Sequence, residues 1–186
     1  MVPDWLYHAI EKKFAKPHYK IKRESITMMK VNLKPTKSEQ IVAFINLDMV
    51  NSLFIIFEKQ GEDYEEVYCK KWYIDSVEVI DQLFGQNQVL IVKGSTSGTG
   101  YVEGYHYVIR YTPEGYKDVW KKLSRYFVSH YIAPTDIKEI GTINFDSVGD
   151  ELYYSLIKIE PKLEVISELY VYNDQKHQYE LKKTYS

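Results

Sequence analysis

A chain of 186 residues is long enough for one domain with a hydrophobic core, and we take residues 1–186 as a single domain. Its formal net charge of −2 provides no basic field for nucleic acid or an anionic membrane surface. No apolar run approaches the length of a membrane span, and a single cysteine, Cys69, excludes an internal disulfide. The 18 tyrosines favour half-buried β-strands and are also compatible with an aromatic binding surface.

Residues 1–25 are predicted to form an amphipathic helix and its lead-in. Asp4 is a suitable N-cap, and Pro17 is expected to stop the helix. The apolar residues that fall on one helical stripe are Trp5, Leu6, Ala9, Ile10 and Phe14. A single helix of this length is marginal in water, so we expect it to dock on a sheet edge or on the core.

From Ile26 onward the pattern is typical of β-strands, and a hairpin signal occurs three times. The clearest copy is Tyr107–Trp120, in which Pro113 presets φ and Gly115 can adopt a positive φ between two β-favouring runs. Similar hairpins are predicted at Leu53–Tyr68 and Leu169–Lys183. Three copies in a short chain indicate a repeat architecture.

Twelve strands are predicted, in three antiparallel meander units of four strands each. They are Ile26–Leu33, Gln40–Ile45, Leu53–Lys59, Tyr64–Lys70, Ser76–Asp81, Gln88–Gly94, Tyr105–Thr112, Tyr116–Lys121, Glu139–Phe145, Glu151–Ile157, Glu168–Asn173 and Tyr179–Lys183. Unit 1 spans residues 26–71, unit 2 spans 72–121 and unit 3 spans 139–186, with a short helical insert at 122–138 that ends near Pro134. The predicted fold class is mostly β, a partial β-propeller-like arrangement with an N-terminal amphipathic helix.

The third unit resembles a known repeat. Its sequence GTINFDSVGDELYYSLI resembles an FG-GAP repeat of the integrin-α-like β-propellers, in which an acidic, glycine-containing turn leads into an apolar strand. The segment VEVIDQLFGQNQVLIVKG resembles a degraded copy, and MMKVNLKPTKSEQIVAF keeps the strand rhythm. The resemblance covers Ile26–Lys183 by pattern and Asp146–Leu152 by identity. It implies an open propeller, a curved stack or a homodimer that closes the arrangement, in a secreted or cell-envelope setting.

The same resemblance implies a candidate calcium site in the turn of unit 3. Calcium takes about six to eight oxygen ligands, and acidic side chains alternate along an FG-GAP turn. Asp146 and Asp150 fit that pattern, whereas Val148 occupies a ligand position. The alternatives are a weakly bound calcium in unit 3 and a polar turn whose backbone is satisfied by Asp and Gly. No other cofactor is predicted.

The direction of the strands predicts a binding surface. In each antiparallel unit the connection between the second and third strands leaves at the same end, so Asn46–Ser52, Gly94–Gly104 and Lys158–Ser167 are expected on one face. Gly94–Gly104 is interpreted as a flexible loop, because a strand and not a helix follows it. The candidate residues for binding a protein or carbohydrate partner are Asp48, Asn51, Ser95, Thr96, Thr99, Tyr101, Glu103, Lys158, Glu160 and Lys162.

Signals for catalysis are weak in this sequence. The five histidines lack metal-ligand spacing; His106 is interpreted as a strand histidine and Cys69 as an inert, partly buried thiol. Tyr64, Tyr116 and Tyr179 open the last strand of each unit and are interpreted as packing residues. The favoured function is a non-catalytic recognition or scaffold domain. The alternative is a carbohydrate-active hydrolase with carboxylates on the same loop face.

Overall fold

The computed structural model of the protein describes residues 1–14, 20–36, 38–48, 51–81, 87–146 and 149–186. Strand makes up 65% and helix 8%, so the mostly β prediction is confirmed. Among the described residues no helix has the length and apolarity needed to cross a membrane.

The described elements are one α-helix and twelve strands, and all twelve predicted strands are present. Helix α1 spans Asp4–Lys13, and a short 3₁₀ turn spans Arg23–Ser25. The strands are β1 (Ile26–Val31), β2 (Gln40–Asn46), β3 (Ser52–Gln60), β4 (Asp63–Lys70), β5 (Tyr73–Ile80), β6 (Val89–Gly98), β7 (Tyr101–Thr112), β8 (Gly115–Val128), β9 (Ile137–Phe145), β10 (Glu151–Glu160), β11 (Glu164–Asn173) and β12 (Gln178–Tyr185). The three predicted hairpins correspond to β3–β4, β7–β8 and β11–β12, and Gly115 has a φ of +102° as expected.

The chain forms two compact units. The first, which we call the four-stranded unit, comprises Met1–Asn32 and Lys37–Ile74. Its strands β1–β4 form an antiparallel sheet in chain order. Leu6 and Ile10 of α1 pack into an aliphatic core with sheet residues Ile41, Ile45 and Ile55, so the expected docking of the helix is confirmed.

The start of α1 differs from the prediction. Pro3 occupies the N-cap position, and Asp4 is the first helical residue. Pro cannot donate the N–H that a helix start leaves unpaired, so it suits this boundary. Asp4 instead places its carboxylate in the first turn, 2.6 Å from Arg23. Pro17, the predicted stop, lies outside the described residues.

The second unit, the eight-stranded unit, comprises Leu33–Thr36 and Asp75–Ser186. Strands β5–β12 form one sheet in chain order, and each strand neighbours the strands before and after it. The ring of Trp120 on β8 lies 5.6 Å from those of Tyr154 on β10 and Tyr170 on β11. Neighbouring strands are about 4.8 Å apart, so these contacts require the sheet to curl around an aromatic core.

The three-unit, propeller-like arrangement is not supported, because predicted units 2 and 3 belong to a single sheet. Strand β8 continues to Val128 and pairs with β9 from Arg125↔Ile140 to Val128↔Ile137. The predicted helical insert at 122–138 is therefore wrong: residues 122–128 extend β8, and 137–138 begin β9. The extended part of β8 pairs with β7 on its other side, so backbone pairing on both sides favours strand over helix.

Candidate recognition surface

The predicted loop face corresponds to one end of the eight-stranded sheet. Because its strands alternate in direction, the β6–β7, β8–β9 and β10–β11 connections lie at the same end. This end carries two of the three predicted connections, Gly94–Gly104 and Lys158–Ser167. The third, Asn46–Ser52, belongs to the four-stranded unit.

Both of these connections are shorter than the sequence predicts. Strand β6 continues to Gly98 and β7 begins at Tyr101, so Gly94–Gly104 is a paired hairpin and not a flexible loop. Its turn consists of Thr99 and Gly100, and Gly100 has a φ of +77°. Strand pairing with β8 places β7 inside the sheet, which holds this glycine-rich segment extended. At the second connection, residues 161–163 alone join β10 to β11.

Several predicted residues of the β6–β7 hairpin have structural partners. The Ser95 hydroxyl donates to Asp75, and Arg125 Nη2 donates to Ser95 Oγ at 2.8 Å and to Asp75 Oδ1 at 2.9 Å. Glu103 accepts a hydrogen bond from the Tyr105 hydroxyl, which raises the pKa of Tyr105 to about 12. These contacts stabilise the hairpin. Thr96 and Thr99 are exposed beside them, and Tyr101 is half-buried.

The remaining predicted residues also close turns. Lys158 Nζ lies 2.8 Å from Glu164 across β10 and β11, and this contact raises the pKa of Lys158 and lowers that of Glu164. Glu160 and Lys162 are exposed near the same turn. In the four-stranded unit, the Asp48 carboxylate accepts the backbone N–H of Asn51 at 2.7 Å. The structure therefore divides the ten predicted residues between two units.

The sequence analysis missed the most exposed apolar side chains at this end of the sheet. Tyr131 and Ile132 in the β8–β9 connection are 86% and 59% exposed. Leu163 in the β10–β11 turn and Val165 at the start of β11 are 69% and 50% exposed. Apolar residues in a strand-rich sequence are ordinarily assigned to the core. The signal that could have found them is the apolar pair at 131–132 inside a connection.

Backbone hydrogen bonds hold the β8–β9 connection in a defined turn. The Ser129 N–H donates to the Gly100 carbonyl at 2.8 Å, and the Ile132 N–H donates to the Ser129 carbonyl at 2.9 Å. The Asp136 carboxylate accepts the backbone N–H of His130, which lowers the pKa of Asp136. The turn thus rests on the β6–β7 hairpin and holds Tyr131 and Ile132 in place.

An apolar row crosses the neighbouring strands. Ile140 on β9 is paired with Ile157 on β10, which is paired with Val165 on β11. Directly paired residues project to the same side of a sheet, so these three side chains form a continuous strip. We call the exposed apolar residues at this end the loop surface. Its members are Phe127, Tyr131, Ile132, Ile140, Leu163 and Val165.

The predicted calcium turn has a different local structure. Asp146 Oδ1 accepts the N–H groups of Gly149 at 2.7 Å and Glu151 at 3.1 Å. The Asp150 carbonyl accepts the N–H of Tyr172. Among the described residues no group of three or more metal-ligating side chains occurs, and Ser147 and Val148 lie outside them. Asp146 thus satisfies a turn backbone, and calcium binding stays a prediction.

The aromatic and histidine interpretations agree with the structure. Tyr116 and Tyr179 are buried, and Tyr64 stacks on Trp5 with 4.4 Å between ring centres. They pack within their own units and not between blades. His106 lies in β7 with Nε2 3.1 Å from the Gly141 carbonyl. Cys69 is partly buried, and burial raises the pKa of its thiol.

Comparison with models of known protein families finds no match for this chain, and comparison with curated proteins finds none. The fold defines the protein as mostly β, with two open antiparallel sheets and one helix. The functional argument therefore depends on the surfaces described above.

Proposed function

We propose that this protein is a non-catalytic recognition module that binds a protein partner through the loop surface. The observation that carries the proposal is the cluster of exposed apolar side chains on three adjacent strands and two turns at one end of the eight-stranded unit. Contiguous exposed apolar patches mark interaction sites on soluble proteins.

The chemistry of the loop surface favours a protein over a carbohydrate. Ile140, Leu163 and Val165 are aliphatic and have no group that recognises a hydroxyl. Burying them against an apolar protein surface contributes roughly 25 cal/mol per Å². The Lys158–Glu164 ion pair borders the strip, which gives an apolar centre with a charged rim, the usual organisation of a protein interface.

The backbone at the surface supports preorganised binding. The β8–β9 turn is held by its bond to Gly100, and the apolar row lies on paired strands. Side chains on rigid elements lose less conformational freedom when a partner binds. Thr96 and Thr99, predicted from the sequence, lie on the adjoining hairpin and would contribute polar contacts at the rim.

A photocrosslinking experiment tests the proposal. A benzophenone amino acid is placed at position 131 or 163, and in a control at position 117, which is exposed at the other end of the sheet. We expect a discrete crosslinked protein from positions 131 and 163 in cells of the source organism, and none from 117.

The crosslinked partner is then purified and its affinity measured. Leu163→Glu is expected to weaken binding by about tenfold or more, since a buried apolar contact is worth over 1.4 kcal/mol. The matched control Leu181→Glu alters an exposed leucine on β12 and should leave the affinity unchanged. Equal affinities of both variants would contradict the proposal. A crosslink to a second copy of the chain would support the predicted homodimer instead.

The carbohydrate-active hydrolase has one observation in its favour, away from the loop surface. Glu78, Asp81 and Asp146 line a cavity of about 340 Å³ in the eight-stranded unit. Asp81 accepts a hydrogen bond from Gln88, and Asp146 caps its turn, so both carboxylates have structural partners. Hydrolysis of a chromogenic glycoside that Glu78→Gln abolishes would favour this alternative. The FG-GAP relationship and the secreted or cell-envelope setting stay predictions.

A further inference from the structure

A cleft of about 270 Å³ lies at the other end of the eight-stranded sheet from the loop surface. Its lining includes Leu33, Arg110, Tyr111, Tyr172 and His177, all within the eight-stranded unit. We propose that this cleft binds a small ligand with a carboxylate or phosphate group, and that Arg110 holds the anionic group. The proposal is independent of the partner at the loop surface.

Two tyrosines position the guanidinium of Arg110. Its central carbon lies 3.9 Å from the ring centre of Tyr172 and 5.8 Å from that of Tyr179. Arg110 Nη1 donates to the Tyr179 hydroxyl oxygen at 3.3 Å, and that hydroxyl donates to the Gly149 carbonyl at 2.6 Å. Stacking and this hydrogen-bond chain orient the planar group, so less entropy is lost when a ligand binds.

The planar fork of arginine is suited to oxyanions. It presents N–H groups in a geometry that matches both oxygens of a carboxylate or phosphate, which a lysine cannot reproduce. The chain contains 24 Lys and Arg residues, of which three are arginines. Arg23 lies 2.6 Å from Asp4 and Arg125 lies 2.9 Å from Asp75, whereas Arg110 is stacked at the wall of a cleft.

The surrounding charges favour an anion. Lys34 Nζ lies 4.6 Å from the ring centre of Tyr111, which brings a second cation next to the lining. His177, at the β11–β12 turn, adds a third group that is positive when protonated. Among the described lining residues Asp174 is the acidic one, and its side chain is exposed. Leu33 and Tyr111 provide apolar surface for the body of the ligand.

The three arginines allow a direct NMR test on the intact chain. The ¹⁵Nε–Hε signals are followed while inorganic phosphate or acetate is added at constant ionic strength. We expect the Arg110 signal to shift and saturate with at least one of the two anions, while those of Arg23 and Arg125 stay in place. The two titrations distinguish phosphate from carboxylate recognition. Parallel, non-saturating shifts of all three signals would overturn the proposal.

Two variants at the cleft and one away from it sharpen the test. Arg110→Lys keeps the charge but loses the fork, and it should weaken binding of the anion by about tenfold. Asp174→Asn removes an exposed acidic group and should tighten binding severalfold without affecting folding. Asp136→Asn, in the β8–β9 connection, is the matched control and should change nothing. Binding that is equal in wild type and Asp174→Asn would contradict the proposal even if Arg110→Lys fails to fold.

Discussion

The four-stranded and eight-stranded units bury different kinds of side chain. In the four-stranded unit the core consists largely of isoleucine and leucine, and seven successive residues of β3 are buried. In the eight-stranded unit the core is built around Trp120, Tyr154, Tyr170 and Tyr179, and strands β9–β12 are buried at few positions. One unit therefore depends on close aliphatic packing, and the other on rings whose polar ends must be satisfied.

This difference has a functional side. The tyrosine hydroxyls of Tyr154 and Tyr179 donate to backbone carbonyls, so the aromatic core carries hydrogen bonds as well as apolar area. Half-buried strands leave side chains such as Ile140 and Val165 exposed, and these belong to the loop surface. Both proposed binding sites lie in the eight-stranded unit. The four predictions below test this contrast.

The largest difference is expected from a matched pair of isoleucines. Ile55 on β3 is 1% exposed and Ile140 on β9 is 37% exposed. Ile55→Ala should lower the free energy of unfolding by about 2–5 kcal/mol, because it leaves a cavity in a packed core. Ile140→Ala should cost about 1 kcal/mol or less. Urea denaturation followed by circular dichroism measures both, and equal losses would remove the contrast.

A glycine tests how closely the curled sheet is packed. A Cβ at Gly141 would lie 1.9 Å from the Leu123 carbonyl oxygen, which belongs to the backbone of β8. Gly141→Ala should therefore displace β9 and lower the free energy of unfolding by about 1–3 kcal/mol. Thr142→Ala, at an exposed neighbouring position, should have an effect within about 0.5 kcal/mol. Trp120 fluorescence reports unfolding of this unit; similar midpoints for both variants would contradict the close approach.

The hydroxyl groups of the aromatic core are tested by two adjacent tyrosines. Tyr154 is buried and its hydroxyl donates to the Leu123 carbonyl at 3.0 Å, whereas Tyr153 is half-exposed. Tyr154→Phe should cost about 1 kcal/mol, because it leaves a buried carbonyl without this donor. Tyr153→Phe is the control and should be near neutral. Thermal unfolding of the two proteins gives the comparison; a neutral Tyr154→Phe would show that ring packing alone stabilises this core.

The smallest expected effect is a pH dependence confined to the eight-stranded unit. Burial lowers the pKa of His106, although its contact with the Gly141 carbonyl acts in the opposite direction. The unfolded chain therefore takes up a proton at higher pH than the folded chain, near pH 6.5. Stability from this group is complete above that pH and is lost as the pH falls through the lower folded pKa.

Replacing the histidine isolates this contribution. Between pH 7 and pH 5 the urea midpoint followed by Trp120 should fall less steeply in His106→Gln than in wild type. Identical slopes, or a steeper fall in the variant, would contradict burial of a neutral His106.

The positions of the strands could be predicted from the sequence, whereas their grouping could not. Alternating and β-branched runs identified all twelve strands, and the Pro113–Gly115 signal located a hairpin correctly. Alternation describes one strand and its two faces, and it does not reveal that β8 also pairs with β9. Repetition of similar hairpins was therefore interpreted as separate units when two of them share one sheet.

The candidate surface was predicted in position but not in composition. Strand direction alone brought Gly94–Gly104 and Lys158–Ser167 to the same end. Glycine and serine in the first segment indicated a loop, but pairing with β8 keeps it extended. The exposure of Tyr131 and Leu163 depends on how the sheet curls, which is a property of long-range contacts and not of local sequence. Arg110 was missed because its partners Tyr172 and Tyr179 lie more than sixty positions away along the chain.

The order of strands within the eight-stranded sheet has a consequence for biosynthesis. Each strand pairs with the one translated just before it, so a growing chain can add hairpins at the ribosome without waiting for distant segments. Nascent β12 then completes the sheet last, and it brings Tyr179 to Arg110. The anion-binding cleft would accordingly be assembled only when the final ribbon leaves the exit tunnel.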